Sequence, residues 1–213
     1  MPRNLNATKG IGYDIADVLD ELGMCVEIQE RVRPIIEKVD YDSNSQMTKP
    51  FNAEHFLMMM FTHATEIVAG DLLYAVAQNV HYRVMNCFPE VFEDTIIYKQ
   101  GIVYKCNEIV TVSRPVEVRD EKTLRVDTQW DIIHKDVRCL VTDKLYGSEL
   151  NTEMSFIQLD LRSRILYFPK KFDIQQKDRV TPTSYGRVYE VTNIETNTFP
   201  GMNVIYLEED TRR

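Results

Sequence analysis

Four histidines (His55, His63, His81 and His134) and four cysteines (Cys25, Cys87, Cys106 and Cys139) are the side chains with metal-binding or nucleophilic chemistry. Metal binding needs several of them to converge. His55 and His63 are eight positions apart in a β-like apolar stretch. That puts them on one face of a strand but about 26 Å apart, at about 3.3 Å per residue. His63 and Glu66 would be neighbours on a helix, yet no second such pair completes a di-metal site. The cysteine spacings of 62, 19 and 33 match neither a zinc pattern nor a CxxC redox pair. They read as small, reduced core residues. The eight glycines form no phosphate-cradling loop, and no Gly-x-Ser-x-Gly elbow or triad context surrounds any serine. These residues predict no metal, no cofactor and no enzyme. Asp71 and Asp178 are the best-placed acids, and each falls where the chain bends, so turn formation is expected of them before catalysis. A carboxylate pair elsewhere is the enzymatic alternative.

The elements that would position these residues are short strands. A first dozen residues, through Gly10 and Gly12, read as a mobile arm. A short helix follows, with Asp14 as N-cap, Ile15, Val18, Leu19 and Leu22 on one face, and Gly23 as the stop. Met24, Val26 and Ile28 alternate as in a half-buried strand, and Asp40 to Pro50 reads as a polar loop. The run Phe56 to Phe61 predicts a strand buried on both faces. Its Met58, Met59 and Met60 are expected to fill core. Further strands are predicted at Ile96–Tyr98, Ile102–Tyr104, Ile109–Val112, Val116–Val118, Leu124–Val126, within Asp131–Lys144, and at Ile165–Phe168, Arg187–Val191 and Val204–Leu207. Such spacing points to small barrels or sandwiches.

A shift of 107 residues superposes the chain on itself. It pairs Phe61 with Phe168, Ile67 with Ile174, Asp71 with Asp178, Tyr82 with Tyr189, Val84 with Val191, Asn86 with Asn193 and Phe92 with Phe199; Glu66 falls on Asp173. Each copy reads as an apolar strand, a polar turn ending in Ile-x-x-x-Asp, a Tyr-x-Val strand, a looser aromatic segment and a closing strand. The length, 213 residues, is nearly twice 107. The fold class predicted is therefore mainly β, with two tandem small β-barrel or sandwich domains and a short N-terminal helix. The expected division is 1–112 for arm, helix and first barrel, and 113–213 for the second.

Composition narrows the function classes. The formal net charge is −8, which disfavours a generally basic nucleic-acid binder. Residues 1–106 carry nine basic and 15 acidic residues, and residues 107–213 carry 16 and 18, so the first half is the acidic one. Lys170-Lys171 and Arg212-Arg213 are too small for a nucleic-acid footprint. No apolar run approaches a membrane span, and the Met1–Asn6 start lacks the apolar region of a secretory signal.

Asp178-Arg179-Val180, Gly186-Arg187-Val188-Tyr189-Glu190-Val191 and Asn197-Thr198-Phe199-Pro200-Gly201 before a closing strand resemble the small barrels of tailed-bacteriophage neck proteins, the head-closure (stopper) and head–tail connector family. Gly70-Asp71-Leu72, Tyr82-Arg83-Val84-Met85-Asn86 and Tyr104-Lys105-Cys106-Asn107 echo the pattern in the first half. About 35 residues per half carry it, and two copies depart from the usual single barrel. The resemblance implies a virion structural protein made in the host cytoplasm. Its partners would be copies of itself in a hexameric or dodecameric ring, the portal or adaptor and the tail proteins. Packaged DNA would pass an acidic lumen without specific binding, since carboxylates repel phosphates. The segments Asp40–Pro50 and Tyr146–Glu153, the arm and the Thr211–Arg213 tail would then serve assembly. The alternatives are a tail-completion or other virion protein, and a non-viral tandem-barrel adaptor for a protein partner.

Overall fold

In the computed structural model, residues 5–42, 55–119, 126–142, 163–184 and 186–212 are described. The chain divides into two compact units, one of residues 1–106 with 199–201, the other of residues 107–198 with 202–213.

The first unit opens with helix α1 (Leu5–Leu22) and continues as strands β1 (Met24–Gln29), β2 (Ile35–Asp42), β3 (Phe56–Thr62), β4 (Leu72–Ala75), β5 (Val80–Val84), β6 (Phe88–Phe92) and β7 (Thr95–Lys105). The strands are antiparallel in the order β3-β2-β1-β4-β5-β7-β6, and β3 also pairs with β7, closing six strands into a barrel. Among the described residues, β6 pairs with β7 alone and is an edge. Inward side chains at every second position, among them Val26, Ile28, Met59, Phe61, Leu73, Tyr82, Val84 and Val103, fill the interior.

The second unit contains β8 (Glu108–Arg119), β9 (Val126–Thr142), β10 (Ser163–Pro169), β11 (Arg179–Pro182), β12 (Tyr189–Glu195) and β13 (Met202–Glu209). They close in the order β10-β13-β12-β11-β8-β9. Read from the first strand of each unit, the two rings are the same ring: third, second, first, fourth, fifth, closing. Phe61 and Phe168, Tyr82 and Tyr189, and Val84 and Val191 all occupy the interiors.

Registry shows where the copies differ. Ala75 pairs with Val26 and Pro182 with Val110, so the first strands correspond at a shift of 84. Met58 pairs with Asp42 and Ile165 with Thr142, a shift of 100 for the second strands. The shift of 107 holds from β3/β10 to β5/β12. The closing strands correspond at 104, because Met58 pairs with Ile102 and Ile165 with Tyr206. Asn86 and Asn193 still match: the Asn86 side chain accepts the Ile102 N–H, while Asn193 pairs with Tyr206 through the backbone. Phe92 and Phe199 do not match, since Phe92 ends the extra strand β6 and Phe199 lies in a turn.

Several expectations are corrected. The helix begins at Leu5, so the stretch through Gly12 is not an arm and Asp14 is mid-helix rather than its cap. Gly12 packs close to β7: a Cβ there would lie 3.3 Å from the Ile97 carbonyl. Phe56–Phe61 is buried at Phe56, Met59 and Phe61 and only half-buried between them, as befits a barrel wall. Ile96–Tyr98 and Ile102–Tyr104 are one strand. Gly101 permits this, as a Cβ there would come within 2.5 Å of the Asn86 carbonyl. Ile109–Val112 and Val116–Val118 are likewise one strand, β8. Residues 40–42 belong to β2; the rest of the Asp40–Pro50 loop, the Tyr146–Glu153 loop, Leu124 and Arg125 lie outside the described residues. The units divide at 106/107, not 112/113, because Val110–Ser113 carries the ladder to β11 and a cut at 112 would sever it.

The β6–β7 hairpin turns on Glu93 and Asp94, with φ of 45° and 67°. Two consecutive left-handed residues favour Asn-Gly, not two acids. Glu93→Asn with Asp94→Gly is expected to raise unfolding free energy by about 1 kcal/mol in urea denaturation, with an unchanged slope.

Candidate functional site

Among the six ring strands, the connection from the third to the fourth is the one that does not join neighbours: β3 leaves one side of the barrel, and β4 must arrive against β1. The same crossing joins β10 to β11, which lies against β8. Both are held by the same cluster. In the first unit, Arg31, just past β1, donates to Asp71 Oδ2 at 2.6 Å and to Glu66 Oε2 at 3.3 Å. Asp71 Oδ2 also accepts the Val68 N–H at 3.0 Å. In the second, Arg114 grips Asp178 with Nε and Nη2, both at 2.9 Å, and Asp173 with Nη1 at 2.9 Å. Asp178 Oδ2 accepts the Gln175 N–H at 2.8 Å.

The backbone repeats as well. The Asp71 N–H donates to the Val68 carbonyl and the Asp178 N–H to the Gln175 carbonyl, both at 3.2 Å. The preceding residue is left-handed in each, Gly70 at φ 95° and Lys177 at φ 72°. Ile67 and Ile174 are buried at the start of each turn. Glu66 and Asp173 are each 65% exposed, whereas Asp71 and Asp178 are nearly enclosed.

Chemically, these carboxylates are engaged: Asp71 Oδ2 and both oxygens of Asp178 receive guanidinium or backbone donors, an arrangement that bends and pins a chain. Asp178 is the leading cause that holds the Arg114 guanidinium above its ordinary value; burial opposes it, and Asp173 adds to it. The acids were visible through the repeat. The arginines were not, because Arg31 and Arg114 are 83 apart, not 107. The only signal for them is the pairing of β1 with β4 and β8 with β11.

Three histidines rest on aromatic rings rather than on one another. His63 meets Tyr13 at 5.3 Å, His81 meets Tyr74 at 4.7 Å, and His134 meets Phe172 at 5.2 Å. Among the described residues, no group of three or more His, Cys, Asp or Glu could hold a metal ion. Nor is any helix there long and apolar enough to cross a membrane.

Each unit adds one ionic anchor of its own. In the first, the fully buried Arg83 donates to both oxygens of Glu30, at 2.6 and 3.0 Å, and to the Gly70 carbonyl. In the second, Arg179 lies 3.5 Å from the Trp130 ring centroid and donates to Asp210 Oδ2 at 2.7 Å. Arg212 joins that cluster through Asp210, the Lys177 carbonyl and Glu190. Arg212, part of the Thr211–Arg213 tail, is thus bound to its own barrel. Burial pushes the Asp210 carboxyl up, but hydrogen bonds from Arg212 and Arg179 outweigh it and bring it down to about 2.

No protein-family model matches the chain, and no curated protein matches it. Two solved structures show distant likeness. Protein SF1141 from Shigella flexneri 2a is 14% identical over 51% of this chain and 96% of that chain, with a TM-score of 0.38. MrkH, a c-di-GMP-dependent transcription regulatory factor, is 10% identical over 95% of this chain and 84% of that one, with a TM-score of 0.21. Likeness of that degree says nothing about what this chain binds or does.

Two outcomes are expected. Asp71→Ala and Asp178→Ala each leave a part-buried arginine without its main partner and should cost about 3–5 kcal/mol in urea denaturation, while Glu66→Ala and Asp173→Ala should cost under about 1 kcal/mol. Asp210 has a folded pKa below its ordinary 3.8, so its contribution is complete above that value and is lost as pH falls towards about 2. Acid titration by circular dichroism should show Asp210→Asn removing that part of the pH dependence.

Proposed function

We propose that the chain is a structural subunit of a tailed-bacteriophage neck, a head-closure or connector component that stands between portal and tail and performs no turnover. The observation that carries this reading is the duplication. Each half holds the same six-strand ring and the same arginine-clasped acidic turn, and that turn, with the Tyr-x-Val strand after it, is the part of the sequence that resembles neck barrels. The charge distribution supports it. The first half has six more acidic than basic residues, a surface past which a phosphate backbone slides without being held. Self-assembly by head-to-tail contacts that close under rotation would make a ring.

Negative-stain microscopy of the purified chain, together with mass spectrometry of purified particles, tests the proposal. The expected result is rings, alone or on a portal partner, and the chain present in the virion at a fixed ratio to portal. Absence from purified particles would overturn it and favour the adaptor alternative.

A further inference from the structure

Helix α1 touches its barrel with one narrow strip. Gly12 and Leu19 are buried, Ala16 is half-buried, and the Lys38 ammonium donates to the Asp20 carbonyl. At about 100° per residue, a second apolar strip follows beside the first: Ile11, Ile15, Val18 and Leu22, spaced four, three and four. Ile15 is half-buried, but Ile11, Val18 and Leu22 are exposed, the last two by 56% and 83%. The apolar arc therefore spans roughly 160° of the helix, and the barrel covers only part of it. Beyond its solvent side stand Asp14, Asp17 and Glu21, all exposed.

That spacing is the seam of a helix that expects another helix. A second copy of α1 packed antiparallel would bring the two acidic flanks together along one side of the contact, which is destabilising. We infer that the outer face of α1 docks a basic amphipathic helix of a different protein. Its apolar residues would pack on Ile11, Val18 and Leu22, and its lysines or arginines would face Asp14, Asp17 and Glu21. This does not rest on the neck reading.

The test uses the full chain and a labelled synthetic peptide with Leu at the a and d positions of a heptad and Lys at e and g, with its Glu counterpart as control. Fluorescence anisotropy should show saturable binding of the Lys peptide tighter than about 100 µM and none of the Glu peptide. Val18→Asp with Leu22→Asp, at exposed positions and checked for folding by circular dichroism, should weaken it at least about tenfold. Asp14→Lys, Asp17→Lys and Glu21→Lys together should transfer the preference to the Glu peptide. Lack of saturable binding, equal binding of both peptides, or indifference to both sets of substitutions would overturn the inference. So would self-association of the wild-type chain that the Val18/Leu22 variant abolishes, since the occupant would then be a second copy.

Discussion

A ring that runs third, second, first, fourth, fifth, closing has one connection that does not join neighbouring ring strands, and everything else in each unit depends on where that crossing lands. Strand pairing alone gives β4 only four rungs against β1, and β11 four against β8. A slip of one residue there would turn Leu73 or Val180 out of the core. The arginine just beyond the last of those rungs removes that freedom. Arg31 reaches 40 residues along the chain to Asp71, and Arg114 reaches 64 to Asp178. The clasp ties the two strands at the point where the crossing arrives, and the buried isoleucine at the start of the turn completes it.

Duplication has preserved this device while the anchors around it have drifted. The first unit secures its fifth strand by burying Arg83 against Glu30. The position equivalent to Arg83 is Glu190, which meets Arg212 in a contact of opposite polarity. The units also differ in length at different connections. The first has β6 between its fifth and closing strands, and the β8–β9 hairpin of the second is longer than β1–β2. Neither difference falls within the crossing.

The fold class, the duplication and the turn acids could be read from the sequence because they rest on local patterns: alternation within strands, and Ile-x-x-x-Asp at a constant shift. What escaped was non-local. The short strands Leu72–Ala75 and Arg179–Pro182 carry too little alternation to be recognised alone, and only their neighbours make them strands. The N-terminal half of the helix is hidden in the sequence because Gly10 and Gly12 look like breakers. At Gly12 the missing side chain instead allows close approach to β7. Arg31 and Arg114 carry no local pattern that sets them apart from other arginines. Nothing in their immediate surroundings tells that a carboxylate lies across the barrel end, and the changed length of the β8–β9 hairpin hides them from a fixed-shift search.

Closed rings have no exposed backbone to offer a neighbouring chain, and β6 is where the first unit departs from that rule. One edge of Phe88–Phe92 is paired to β7, and the other is open, with Phe88, Val91 and Phe92 exposed beside it. An apolar open edge is a template for unwanted cross-β growth. Pro89 lacks the N–H that a templated strand would require, Glu90 places a charge beside it, and a register shift between Glu90 and Val91 breaks the flat edge. The strand that sets the first ring apart from the second thus carries its own guard against aggregation.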